Sequence, residues 1–187
     1  DITRRFAELS LASKIVEELE KEDILILDGN LKVSYKNEIK YINQLKSKSC
    51  FVCALTKTSQ IFSNGSSLIG DLGILSDKFD YPWYFKFEEC KYAVRLNKSR
   101  GHIFEFEVFD DSKINEILSY LINNCNDAVF PGYPYGLILA DQFARINNKE
   151  KEYLFNIFKA KAGKNWKVIE KYLNSKNAHD ILDKISF

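Results

Sequence analysis

Three stretches of the chain hold residue types that could do chemistry. The first is Ile24-Leu25-Ile26-Leu27-Asp28-Gly29-Asn30-Leu31, in which an acid ends a continuous apolar run. Asp-Gly is a favoured hairpin turn, with Leu31–Tyr35 as the return strand. The run Ile24–Leu27 lacks the alternation of a half-exposed hairpin arm and reads equally as a parallel strand buried on both faces, which would put Asp28 at the carboxyl edge of a sheet, where open α/β folds bind ligands. The second is Ala54-Leu55-Thr56-Lys57-Thr58-Ser59, where Lys57 ends another apolar run. If the two strands are neighbours, Lys57 shares an edge with Asp28. The third is the bend Phe130–Gly136, with Tyr133-Pro134-Tyr135 inside it, feeding Leu137–Ile146. There Asp141 and Arg145 are four apart on one helical face, the spacing of an ordinary ion pair, while Leu139, Ala140 and Phe143 ring the acid.

Other candidates are weaker. Cys50 and Cys53 have the spacing of half a zinc site but lie in an apolar, strand-like run, where positions three apart face opposite ways. Cys90 and Cys125 stand alone, so the cysteines read as reduced and structural, in keeping with a cytoplasmic chain. His102 and His179 have no supporting nucleophile motif, and no phosphate loop or dinucleotide fingerprint is present.

The elements that would position these residues alternate. A helix is expected over 3–21, a strand over 23–27, a helix near 37–48 and a strand over 50–56, the order of an α/β unit. A loop at 63–67 leads to a helix over 68–79 interrupted by Gly70 and Gly73. Strands near 83–88, 91–97 and 102–109 form an antiparallel meander, with Asn97–Gly101 as its last turn. A helix over 112–124 and a helical tail near 137–147, 149–161, 164–173 and 177–185 complete a single expected domain.

The chain has 187 residues with 28% charged and 45% hydrophobic, no apolar run of transmembrane length, and a net charge of +1. That excludes a membrane span, a collagen-like repeat and a globally basic nucleic-acid binder. Charge is uneven, however: Arg145–Lys176 carries nine Lys and Arg against three Glu. Such a run is a solvated face or, beside an acidic site, a phosphate-tracking surface. Met is absent and the chain opens on Asp1, so it is expected to be a fragment of a longer protein.

Taken in order, these motifs resemble the NurA nuclease family. The matching pieces are the helix with Arg4, Arg5 and Glu8, the LILDGNL strand end, the ALTKTS strand end, KYAVRLN at Lys91–Asn97, GYPYGLILADQFARI at Gly132–Ile146 and NAHDILDK at Asn177–Lys184. The resemblance implies an RNase H-like (PIWI-like) mixed sheet with flanking helices, a meander and a helical tail. It implies a DNA nuclease dependent on Mn²⁺ or Mg²⁺, acting as a 5′-to-3′ exonuclease and single-strand endonuclease in double-strand-break end resection. Its partners would be DNA, a second copy in a homodimer, and a HerA-type hexameric ATPase. Asp28 and Asp141 would ligate metal, with Glu8 as a further ligand, and Lys57 and Tyr135 would assist at the phosphate. Asn30 stands where the family commonly has Ser, and Gly136 where it commonly has Pro. The family's first acid, in an Asp-Gly motif on an earlier strand, has no counterpart here and is expected upstream of Asp1. Two rivals remain: a non-catalytic dimerisation or HerA-docking module with an incomplete acid set, and a resolvase-type RNase H-like endonuclease.

Overall fold

A computed structural model describes residues 2–57, 62–63, 65–97 and 101–173. The expected helix at 177–185 and the NAHDILDK match lie outside them. The elements in chain order are α1 (Ile2–Ile15), β1 (Ile24–Asp28), α2 (Ile39–Lys46), β2 (Phe51–Thr56), β3 (Phe62–Ser63), β4 (Ser66–Ser67), α3 (Leu68–Leu75), β5 (Trp83–Glu88), β6 (Lys91–Arg95), β7 (Phe104–Val108), α4 (Ile114–Asn123), α5 (Tyr135–Ala144) and α6 (Asn148–Ala162). Single 3₁₀ turns precede α2 and α4 and follow α3 and α6. Two compact units emerge, Asp1–Asp141 and Gln142–Phe187, with the boundary inside α5.

The first unit is built on a five-stranded mixed sheet of order β1-β2-β7-β6-β5. β1 and β2 are parallel, and the remaining pairs are antiparallel. Side chains alternate across the sheet into two cores. One face carries Cys53 and Leu55 of β2, Tyr92 and Val94 of β6, and Phe104, Phe106 and Val108 of β7. They pack with Ile114, Ile117, Leu118 and Leu121 of α4 and with Tyr133 and Leu137. The other face carries Val52 and Ala54 of β2, covered by Leu9 and Ala12 of α1, Val16 just beyond it, and Ile42 and Leu45 of α2. The helices on this side read clearly in sequence because Leu9, Ala12 and Val16 recur at three- and four-residue steps.

Several expectations shift in detail. α1 stops at Ile15, short of the expected 21, and turns follow at 16–18 and 21–22, although Leu19 still packs on the α1/α2 core. Gly70 and Gly73 do not interrupt α3; Ser67 caps it by accepting from the Gly70 N–H at 3.3 Å. Residues 31–35 form no strand, so Asp28-Gly29 is not a hairpin turn. The two sulfurs of the Cys-x-x-Cys pair diverge as strand geometry requires: Cys50 joins the α1/α2 core and Cys53 the α4 core. All four cysteines are free thiols, and burial pushes the Cys125 thiol up to about 12.

In the second unit, α6 runs through the turn Gly163–Asn165 into helical residues 166–173. Trp166 packs edge-on against Phe155 and Phe158, with the Lys159 ammonium over its indole. Among the described residues no helix is long and apolar enough to cross a membrane.

Phe106 is fully buried at the middle of the first core. Phe106→Ala is expected to destabilise the fold by about 3–5 kcal/mol, because the sheet cannot close over the cavity. Urea denaturation followed by circular dichroism measures it.

Candidate functional site

Parallel pairing brings two of the predicted residues together. β1 and β2 run in register from Ile24↔Phe51 to Asp28↔Leu55, and the ladder continues one step further with the Gly29 N–H donating to the Leu55 carbonyl at 3.0 Å. Lys57 leaves β2 two residues later. Its ammonium reaches the Asp28 carboxylate, Nζ to Oδ2, at 2.9 Å. The pair sits at the carboxyl edge of the parallel strands, half open to solvent, with side-chain exposures of 50% for Asp28 and 38% for Lys57. An exposed pair of this kind adds little to stability, so its interest lies in what it can bind.

A third residue joins them from a distant part of the chain. The Tyr133 hydroxyl donates to Asp28 Oδ1 across a long 3.4 Å, and the Lys57 ammonium lies 5.0 Å from the centre of the Tyr133 ring. Tyr133 is 2% exposed, its ring wedged against Phe104 and Phe130. The bend that aims it depends on close backbone packing. Gly132 has φ +85°, and a Cβ there would come within 3.1 Å of the Gly101 Cα, so only glycine fits. The Gly132 N–H donates to the Cys125 carbonyl, which also accepts from Asn97 Nδ2. Pro134 disfavours a helical conformation at Tyr133, which sits in a bend, and α5 begins only at Tyr135.

Charge is balanced within this trio. Burial pulls the Lys57 ammonium down, but hydrogen bonding to Asp28 and Tyr133 outweighs it and leaves the amine above its ordinary range. Burial, then the Asp28 charge, pushes the Tyr133 phenol up to about 12, so it stays protonated and available as a donor. The arrangement brings an ammonium and a neutral hydroxyl to one half-exposed carboxylate. That set can bind a cation at Asp28 or a phosphate oxygen at Lys57 and Tyr133.

Tyr135 and Glu8 make their contacts elsewhere. Tyr135 is the first residue of α5, 48% exposed, held through its backbone N–H to the Asn124 carbonyl at 2.8 Å. Glu8 is exposed on α1, and its carboxylate lies 3.7 Å from the Arg4 guanidinium. Asp141 is partly buried on α5. His102 stacks on Phe130. Among the described residues no three Asp, Glu, His or Cys side chains gather into a metal-binding group. Compared with known proteins, the chain matches no protein-family model, no curated protein and no solved structure.

The contrast between the two tyrosines is testable. Tyr133→Ala is expected to cost about 3–5 kcal/mol of stability, and Tyr135→Ala less than about 1 kcal/mol. Thermal or urea unfolding of the two variants compares them directly.

Proposed function

We propose that the chain is the carboxy-terminal part of a NurA-like, metal-dependent DNA nuclease with an RNase H-like core. The observation that carries this reading is the Asp28–Lys57 pair at the carboxyl edge of adjacent parallel strands, with the Tyr133 hydroxyl on the same carboxylate. An acid and a lysine presented together at such an edge suit phosphodiester chemistry. The acid holds a hard divalent ion, and the lysine offsets charge on the phosphate.

Among the described residues, no three acidic, histidine or cysteine side chains gather as a two-metal centre would need. Such a centre needs several carboxylates around ions roughly 3.5–4 Å apart, and Asp28 is the only carboxylate in the trio. In this reading the remaining ligands come from residues outside the trio, including an upstream acid, and Asp28 is one member of the shell. The make-up of β1 supports a further strand beside it. Ile24, Leu25, Ile26 and Leu27 are apolar on both faces, the pattern of an interior parallel strand, yet β1 stands at the edge of this sheet with all four only half buried. DNA as substrate, a homodimer and a HerA-type ATPase as partners, and Mn²⁺ or Mg²⁺ as the ion belong to the same proposal. The second unit carries its own basic residues, among them Lys159, Lys161, Lys164 and Lys167, which suit contact with a phosphate backbone.

A second reading, a non-catalytic module for dimerisation or docking, is favoured by that same lone carboxylate. The two readings separate in one assay. In the full-length protein, Asp28→Ala is expected to lower Mn²⁺-dependent degradation of linear DNA by about a hundredfold or more, with unchanged circular dichroism. Undiminished degradation by the folded variant removes Asp28 from the mechanism. The 187-residue chain on its own is expected to cleave weakly or not at all, and robust metal-dependent cleavage by it would show that its own residues complete the shell.

A further inference from the structure

The backbone that leaves Asp28 has no regular secondary structure from Gly29 to Ser34, so its polar groups must find other partners. Gly29 still bonds to β2, its N–H to the Leu55 carbonyl and its carbonyl accepting from the Thr56 hydroxyl at 2.6 Å, and the Lys32 N–H donates to Asn30 Oδ1. The others find charged side chains, two of them buried carboxylates. Arg5 Nη2 donates to the Asn30 carbonyl at 2.8 Å. The Leu31 N–H donates to Glu107 Oε2 at 2.8 Å, and the Ser34 and Tyr35 N–H groups donate to Glu38 Oε2 at 2.8 and 3.4 Å. Arg5 Nε lies 3.7 Å from Glu38 Oε1, a fully buried oxygen with no hydrogen bond among the described residues. Arg5 therefore ties the residue two beyond Asp28 to the carboxylate that anchors Ser34 and Tyr35.

The place of Arg5 in the sequence is telling. Arg5, Leu9, Ala12 and Val16 form one helical stripe at steps of four, three and four. The last three are core residues on the β1/β2 face. The first member of the stripe is a charge where the pattern calls for an apolar side chain. Its other terminal nitrogen, Nη1, would lie 4.0 Å from a Cβ built on Gly29, which sits at φ +140°. Burying Arg5 and Glu38 carries a desolvation cost that apolar residues would avoid. Water could satisfy a loop at the rim of the sheet. The buried Glu38 and the largely buried Arg5 instead hold it in one geometry, immediately beyond the acid of the candidate site.

We propose that Arg5 and Glu38 are positioning residues that fix the direction of the Asp28 carboxylate by clamping the backbone that follows it. The role in turnover rests on the reading of Asp28 as a nuclease residue; the clamp itself does not. Arg5→Lys keeps the charge but loses the planar fork that reaches Asn30 and Glu38 together, so lysine does not substitute for it. Glu38→Gln removes the countercharge while leaving an acceptor for Ser34 and Tyr35, which guards against a variant that merely fails to fold.

Two measurements test this on Arg5→Lys and Glu38→Gln. The first is amide hydrogen exchange in the 187-residue chain. Faster exchange at Gly29 and Leu31, with the β6 and β7 amides unchanged, is expected; wild-type exchange at both amides in both variants overturns the clamp. The second is steady-state DNA cleavage by the full-length protein. A fall in kcat of about 10- to 100-fold at a KM within about twofold of wild type is expected. Wild-type kcat alongside altered exchange overturns the positioning role. If the unmodified full-length protein cleaves no DNA, the nuclease reading fails, and the exchange result alone decides the clamp.

Discussion

The parallel pairing of β1 with β2 places everything else at the candidate site. Parallel strands start at the same end of a sheet, so acids and bases that follow them emerge at the same end too. Here the register matches Asp28 with Leu55, which leaves Lys57 one residue past the end of β2 and within salt-bridge reach of the acid. An antiparallel pairing of the same two strands would have sent Lys57 to the opposite edge. A hairpin through Asp28-Gly29 would have turned the acid into a loop tip. The apolar continuity of Ile24–Leu27 works against that, because a two-faced strand buries little as one arm of an isolated hairpin.

The rest of the first unit serves this edge from its two faces. On one face, α4 and the Phe130–Leu137 segment close the core over Phe104 and Phe106, and the Tyr133 hydroxyl emerges beside Asp28. On the other, α1 and α2 close over Val52 and Ala54, and the charged end of the α1 stripe meets the backbone beyond Asp28. Each face thus delivers one polar group to the strand ends. Glu107 adds a third from within the sheet, its carboxyl raised by burial and its oxygen occupied by the Leu31 N–H.

Much of this arrangement was legible in the sequence, and what was not has physical causes. Periodicity located the helices of the α1/α2 layer, and uninterrupted apolar runs located β1 and β2, because each pattern reflects burial by one neighbouring layer. A shared edge for Asp28 and Lys57 was legible only on the condition that the two strands are neighbours, and the hairpin alternative for Asp28 stood beside it. Tyr133 was missed in favour of Tyr135 because both occupy the same Tyr-Pro-Tyr bend. The usable signal was Pro134, which disfavours a helical conformation at the residue before it, while the residue after it begins a helix. Glu38 and Glu107 were invisible as site residues. Their importance comes from backbone N–H groups 4 and 76 positions away, which no local spacing encodes. Glu107 in particular alternates with Phe106 and Val108 and reads as the solvent face of a half-exposed strand.

Asp28 is proposed to bind a divalent ion together with other acids, and titration calorimetry of the full-length protein with Mn²⁺ tests this most directly. Asp28→Asn keeps the size of the side chain and removes its charge. The account predicts Mn²⁺ affinity weakened by about tenfold or more in that variant, with the fold intact. Equal Mn²⁺ affinity in the two proteins would contradict it.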